Sequence, residues 1–240
     1  LSAGVNMLLD PATMRGNAVA GFTSVRGRSH TFDVRADGYA RGEAIDAIAC
    51  RLCKEDVVDE LLGSAVRQDG RSASLTAPNG QAQQGVLMAS VADARLAADG
   101  VGALEAHGTG TALGDPIEAG AVARVFLAQR PMAPCVVGSL TATAGHTEPG
   151  AGLAGTLKLL MQLRDGAMSP NTQLRSLIPH VSSSLRSHMA CVLPTQPGAL
   201  YMPEGEAGSG GVSSVGYSGT SAHAVRRHAG GDEAVKAELA

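Results

Sequence analysis

The sequence predicts an α/β fold built on a largely parallel sheet with helices on both faces. Two stretches, residues 101–128 and 135–164, repeat one pattern: a short apolar strand, a loop of small residues and a helix. Strands that alternate with helices in this way favour parallel pairing and a sheet covered on both sides. Residues 179–211, rich in Ser, Pro and Gly, indicate a loop-heavy connection to a last predicted strand over 212–217.

The elements that precede these two units are less regular. An apolar strand is predicted over 4–9 and a structured loop over 31–39, whereas residues 44–62 fit a helix and a strand equally well. A strand over 64–67 follows, and then a helix over 83–98. The apolar side chains that share one face of that helix are Leu87, Val91 and Ala94.

The helices of the two repeated units carry start and stop signals. Asp115 is placed to cap the first helix, Pro116 suits its first turn, and Glu118 completes a spacing like that of a capping box. Gly166 follows the second helix, 151–164, and fits its C-terminal end.

The composition is typical of a globular protein. Hydrophobic residues make up 44% of the 240 residues and charged residues 17%, with a formal net charge of −3. Aromatic residues make up only 2%, so the core is expected to be aliphatic. No basic run suggests a nucleic-acid partner, and no apolar stretch reaches the roughly 18–20 residues that span a bilayer. No leader follows Leu1, so we expect no signal peptide and a sequence that begins within a longer protein.

The four cysteines give little indication of metal or redox chemistry. Cys50 and Cys53 form one C-x-x-C pair, but no second pair and no histidine pair at metal spacing accompanies it. We therefore expect no metal, reduced thiols and a cytoplasmic location, with an organelle left open.

Two histidines occupy matching places in the repeated units. His107 and His146 each stand among small residues between a strand and the next helix. Because ligands bind at the carboxyl edge of strands in open α/β sheets, the two imidazoles are expected to converge there. Partial burial would keep them neutral, and two N–H donors suit a thioester carbonyl that becomes an enolate. Structural roles are expected for His30, His180, His188 and His228.

The glycines after His107 permit a different interpretation. Gly108, Gly110 and Gly114 lie between a strand and a helix, as in a loop that binds dinucleotide phosphates. However, no acidic residue ends the next strand, and Asp115 would put a negative charge where the phosphate should sit. This interpretation is therefore the weaker one.

Long motifs resemble the ketosynthase domain of modular polyketide synthases. Residues 105–119 (EAHGTGTALGDPIEA) resemble its first-histidine motif and residues 145–148 (GHTE) its second. Residues 214–223 resemble the loop that closes its active site. Further similar segments are residues 31–43, 64–72 and 75–80.

The resemblance implies a thiolase-like αβαβα layered fold, here incomplete. The end of its N-terminal half would lie in residues 1–56, its C-terminal half in 57–228 and a disordered tail in 229–240. The implied activity is that of an acyltransferase of polyketide or fatty-acid synthesis, which performs decarboxylative Claisen condensation of acyl and malonyl-type thioesters. No cofactor is bound directly, because the phosphopantetheine of an acyl carrier protein carries the substrates. The implied partners are that carrier protein, a second copy in a homodimer and the missing N-terminal part of the same synthase.

The resemblance also assigns roles to individual residues. His107 and His146 are the implied catalytic histidines. Thr109 and Thr111 are expected to contact the pantetheine arm, and Tyr217 stands at the gate of the site, where the family usually has Phe. The implied substrate-binding residues are Thr109, Thr111, Tyr217 and Gly219.

Two departures from the family bear on activity. The family's nucleophilic cysteine lies in an Asp-Thr-Ala-Cys-Ser-Ser-like motif, which does not occur here. Five residues before the second histidine, where the family has Lys, this sequence has Thr141. Lys158, on the following helix, is expected to be solvated. We therefore expect the chain to be inactive alone in condensation, since acyl transfer requires a thiolate.

Two hypotheses follow from these observations. The first is a ketosynthase portion whose full-length parent condenses thioesters, which the unbroken motif over 105–119 favours. The alternative is a catalytically silent ketosynthase-like scaffold or partner module, which Thr141 and the absent cysteine favour.

Overall fold

The computed structural model describes residues 1–52, 57, 59–72, 74, 77–130, 133–201 and 207–229. The strands are β1 Ser2–Asn6, β2 Ala44–Ile48, β3 Asp59–Gln68, β4 Ala103–Glu105, β5 Cys135–Gly138, β6 Ala167–Met168, β7 Cys191–Val192, β8 Gly198–Ala199, β9 Ser209–Val215 and β10 Thr220–His228. The helices are α1 Pro11–Val19, α2 Gly80–Asp93, α3 Gly114–Val122, α4 Thr141–Ala144, α5 Ala151–Asp165 and α6 Pro179–Leu185. A π-helical turn, Ala123–Leu127, continues α3, and 3-10 turns lie at Ala98–Gly100 and Glu148–Gly150.

A mixed sheet forms the centre of the fold. Within the described residues its strand order is β3-β10-β9-β4-β5-β7. The strands β9, β4, β5 and β7 pair in parallel, as the repeated strand–loop–helix pattern predicted. In contrast, β10 pairs antiparallel with both β9 and β3. The α/β class is therefore confirmed, but the sheet is parallel in only one of its two parts, and β9 is not the last strand.

Helices cover both faces of this sheet. On one face α2 and α3 pack with Leu104 of β4 and Val137 of β5, and on the other α5 packs with Ala103 and Val136. Successive residues of each strand thus point to opposite cores, which is the period of two that a strand imposes. The core is mainly aliphatic, as expected, although Phe126 is among the largest fully buried side chains.

The remaining elements correct several predicted boundaries. The described part of the region 44–62 contains two strands, β2 and the beginning of β3, and no helix. The helix predicted over 83–98 begins earlier, because the Asn79 side chain accepts the N–H groups of Gln81 and Ala82. Gly166 ends α5 in the left-handed conformation, at φ 60°, as predicted.

Some predictions lie outside the described residues, namely those on Cys53, on residues 75–76 and on the tail beyond 229. The domain boundaries after residues 56 and 228 stay predictions. Where the structure describes the chain, it contains no helix with the length and hydrophobicity that a membrane span requires.

Candidate active site

The two predicted histidines meet at one edge of the sheet. His107 lies two residues after the end of β4, and His146 follows α4 through Gly145, which adopts a positive φ of 81°. The two ring centroids are 4.9 Å apart and the ring planes are nearly perpendicular, at 88°. The convergence expected from the strand positions is therefore present, while a catalytic role for the pair stays a prediction.

Both imidazoles are neutral at pH 7. Burial lowers the pKa of His107 to about 3, and the neighbouring His146 lowers it further. Burial lowers the pKa of His146 to about 4, against the opposing charge of Glu148. A neutral imidazole keeps one N–H donor and one acceptor nitrogen. The edge of the sheet thus presents two N–H donors without positive charge.

A buried carboxylate holds the backbone of the His107 loop. Glu118, in α3, accepts the N–H of His107 at 2.7 Å and the N–H of Gly108 at 2.9 Å. The prediction that Glu118 completes a capping box is therefore wrong. The loop leaves its own N–H groups without backbone partners, and a carboxylate one helical turn inside α3 reaches both of them.

Asp115 has a similar function further along the loop. It is not the N-cap of α3, because Leu113 occupies that position and Asp115 lies buried in the first turn. Its carboxylate accepts the N–H groups of Phe32 at 2.7 Å, Gly110 at 3.1 Å and Thr111 at 3.3 Å. Burial raises the pKa of Asp115 to about 7, against the hydrogen bond from Phe32. The predicted cap is thus a link between the loop and a distant segment.

These hydrogen bonds argue against the interpretation of the loop as a binding site for dinucleotide phosphates. The N–H groups of Gly108, Gly110 and Thr111, which a phosphate would need, already bind carboxylates. Gly108 has a φ of 47°, and a Cβ there would lie 2.6 Å from the Ser139 hydroxyl. The loop is therefore packed against the protein, and its N–H groups are held by the side chains of Asp115 and Glu118.

The C-terminal part of the segment 31–43 contacts the second histidine. The N–H of His146 donates to the carbonyl of Ala40 at 2.7 Å, and the N–H of Gly42 donates to the carbonyl of His146 at 2.9 Å. The guanidinium of Arg41 binds the Glu148 carboxylate through two hydrogen bonds of 2.7 and 2.8 Å. Because bidentate pairs fix geometry as well as charge, Arg41 holds Glu148, while the backbone of Ala40 and Gly42 holds His146.

Tyr39 lies against the same ring. Its ring centroid is 4.9 Å from that of His146 and the planes meet edge to face, at 78°. Burial and the charge of Glu148 raise the pKa of Tyr39 to about 12, so the phenol stays neutral. The sequence predicts no role for Tyr39 or Arg41, because neither residue has a spacing that relates it to His146.

The four predicted substrate-binding residues occupy two places. Thr109 and Thr111 follow His107, and their hydroxyl oxygens are 3.4 Å apart. Tyr217 and Gly219 lie in the turn between β9 and β10. The Tyr217 side chain is 73% exposed and its ring lies 5.8 Å from that of Phe22, whereas Gly219 is buried with a φ of 95°. Contact of these residues with a substrate stays a prediction.

Lys158 was predicted to be solvated, and this is wrong. Its side chain is only 12% exposed, and its Nζ lies 2.5 Å from Oε2 of Glu105. Thr141 is also buried, and its hydroxyl donates to the carbonyl of His107 at 3.2 Å. In the part of the chain that is described, no group of His, Cys, Asp or Glu side chains could hold a metal ion.

Two family models match the chain. Residues 58–175 match the C-terminal domain of beta-ketoacyl synthase, and residues 1–50 match its N-terminal domain. Among curated proteins, the chain is 40% identical over 233 residues to a phenolphthiocerol/phthiocerol polyketide synthase of Mycobacterium tuberculosis. It is 38% identical over 238 residues to 6-methylsalicylic acid synthase of Penicillium terrestre. These matches cover 94% of the chain but only 12% and 13% of the relatives, so the chain spans a small part of their length.

Solved structures give the same result. The ketosynthase from module 6 of the bacillaene synthase of Bacillus subtilis matches with a TM-score of 0.84 at 28% identity, over 94% of this chain and 42% of that one. An oxazolomycin ketosynthase domain of Streptomyces albus matches with a TM-score of 0.81 at 26% identity, over 95% of this chain and 41% of that one.

Proposed function

Since the chain belongs to the beta-ketoacyl synthase family, we propose that it forms the two-histidine part of a ketosynthase site, which decarboxylates malonyl-type thioesters for condensation in a polyketide synthase. The fold is that of the thiolase-like ketosynthases, as the resemblance implied. The observation that carries the proposal is the pair of neutral imidazoles with ring centroids 4.9 Å apart.

The proposed step needs only what these two side chains supply. The bond between the α-carbon and the carboxylate of the malonyl group breaks, CO2 leaves, and the electron pair becomes an enolate. His107 and His146 donate their N–H groups to the thioester oxygen, on which negative charge develops. The enolate then attacks an acyl thioester, or takes a proton from water to give an acetyl-type thioester where no acyl group is present.

The carrier arm is proposed to approach along the loop after His107. The hydroxyls of Thr109 and Thr111 suit the amides of phosphopantetheine, and Tyr217 and Gly219 would border the entrance. An acyl carrier protein is the expected partner, no cofactor is bound directly, and a homodimer is the expected assembly. Support comes from the placement of both hydroxyls in the loop that begins at His107.

The acyl-accepting nucleophile is proposed to lie outside this sequence. Burial raises the pKa of the Cys135 thiol to about 11 and that of the half-buried Cys191 thiol to about 12, so both stay protonated at pH 7. Cys50 is exposed and lies outside the helices and strands. No cysteine stands in an Asp-Thr-Ala-Cys context. Acyl transfer therefore depends on the rest of the synthase.

One observation favours the alternative, a catalytically silent ketosynthase-like scaffold. Thr141 stands where the family has Lys, and its buried hydroxyl is engaged with His107. Lys158, which is largely buried near this site, is paired with Glu105. Neither Thr141 nor the paired Lys158 would then supply a free cation to stabilise the enolate.

We expect the full chain, given a malonyl thioester on carrier-protein phosphopantetheine, to release CO2 and leave an acetyl thioester. It forms no β-ketoacyl product and no acylated cysteine. The H107A/H146A double variant is the blank, and released CO2 and intact-protein mass are the measurements. Release no faster than the blank would support the scaffold instead, and an acylated cysteine followed by chain extension would show that the nucleophile is present.

A further inference from the structure

We propose that Glu105 and Lys158 form a buried ion pair that positions the two histidine segments relative to each other, a role that rests on the proposed function. Glu105 is the last residue of β4, two residues before His107. Lys158 lies in α5, the helix that follows His146. Neither residue needs to touch the substrate, so both are positioning residues.

The Glu105 carboxylate joins three parts of the fold. Its Oε2 accepts from Nζ of Lys158, and its Oε1 accepts the N–H of Leu140, just after β5. Leu140 precedes Thr141, whose hydroxyl donates to the carbonyl of His107. The same segment continues through α4 to His146. One carboxylate therefore connects the strand that leads to His107 with the segment that leads to His146.

Two glycines make room for the pair. A Cβ at Gly155, in α5, would lie 3.0 Å from Cγ of Glu105. A Cβ at Gly138, at the end of β5, would lie 3.3 Å from Nζ of Lys158. Because interiors are close-packed, a side chain at either position would crowd the pair and require its nearest atom to shift. The helix α5 and the strand β5 thus carry glycine at the two positions that lie closest to these charged side chains.

Burial makes each charge depend on the other. The Lys158 side chain is 12% exposed and that of Glu105 is 4% exposed. Burial raises the pKa of Glu105, and the charge of Lys158 opposes that shift. Removing one member of a buried pair leaves an uncompensated charge, whereas neutral side chains of similar volume can replace both members at little cost. Loss of one member should therefore disturb the site more than loss of both.

A small cavity lies where such a disturbance would reach the histidine. Its volume is about 10 Å³, and its walls include Glu105, His107, Thr141 and Ser213. This is about the size of one water molecule. Because Glu105 and His107 line the same cavity, movement of the Glu105 carboxylate would change the surroundings of His107.

The test compares three variants of the full chain: K158M, E105Q/K158M and, as a control, R164M. Arg164 lies in the same helix and forms an exposed ion pair with Asp165. We expect K158M to lower kcat for CO2 release about 10²-fold, because small displacements of catalytic groups have effects of that size. We expect KM to be unchanged, the imidazole NMR signals of His107 and His146 to move, and E105Q/K158M to regain most of both properties. R164M is expected to match the unmodified chain.

The outcomes separate this proposal from the proposed function. Unmoved imidazole signals and an unchanged rate in K158M would overturn the positioning role, and so would equal losses in K158M and in the double variant. If K158M does not fold but the double variant does, the coupling is supported, whereas failure of both to fold contradicts it. If the unmodified chain releases no CO2, the proposed function fails, and the imidazole signals, which need no turnover, still decide on the pair.

Discussion

Replacing His107 or His146 with alanine lowers the rate of CO2 release from a malonyl thioester by about 10²–10³-fold, because removal of one oxyanion donor has an effect of that size. Both imidazoles donate to the same developing charge, so the losses in the double variant will not add. The measurement is CO2 release at saturating malonyl-carrier protein.

The control for this prediction is H180A. His180 is an exposed residue of α6, outside the candidate site, and its replacement should leave the rate unchanged. Alanine variants of His107 and His146 that release CO2 as fast as the unmodified chain would remove these residues from the mechanism.

Replacing Glu118 with alanine destabilises the fold by about 2–4 kcal/mol, because two N–H groups of the His107 loop lose their carboxyl acceptor. The groups are those of His107 and Gly108, at 2.7 and 2.9 Å from the carboxylate. E118Q keeps one acceptor oxygen and should lose less. Urea unfolding of each variant measures the free energy of unfolding.

A matched control is available on the edge of the sheet. Glu60, in β3, pairs with Arg227 at 3.3 Å, and its side chain is 42% exposed. E60A should change the free energy of unfolding by less than about 1 kcal/mol, because exposed ion pairs contribute little. Equal effects of E60A and E118A would show that Glu118 does not hold the loop.

The sequence predicted the elements whose signals are local. The parallel strands β4 and β5 and the helix α5 follow from apolar runs bounded by small residues, and the end of α5 follows from Gly166. The meeting of His107 and His146 followed from their matching places after parallel strands. Such features depend on residues that are close in sequence, so a rule of spacing finds them.

The strand β10 was missed because polar side chains form much of its buried face. Ser221, His223 and Val225 alternate with residues that are less buried, but only Val225 is aliphatic. Over residues 221–225 the side chains of β10 are buried at every second position, but their hydrophobicity does not alternate in the same way. The antiparallel part of the sheet could not be predicted for the same reason.

The errors at Asp115, Glu118 and Lys158 have a common cause. Rules based on nearby residues predict that a carboxylate near the start of a helix is a cap. They also predict that a lysine on a helix is exposed to solvent. Asp115 instead binds the N–H of Phe32, which is distant in sequence, and Lys158 binds Glu105. Partners that only the tertiary fold brings together leave no spacing to recognise.

Imidazole 15N NMR of the full chain shows whether the rings of His107 and His146 are uncharged where they meet. The pKa values of His107 and His146 are lowered to about 3 and about 4, below the ordinary histidine value of 6.5. The neutral form therefore stabilises the fold fully above about pH 6.5, and that contribution is lost as the pH falls towards the folded-state values. With the signals assigned from H107A and H146A, we predict that neither ring titrates between about pH 8 and about pH 5. A titration of either ring with a midpoint near its ordinary value would contradict the account.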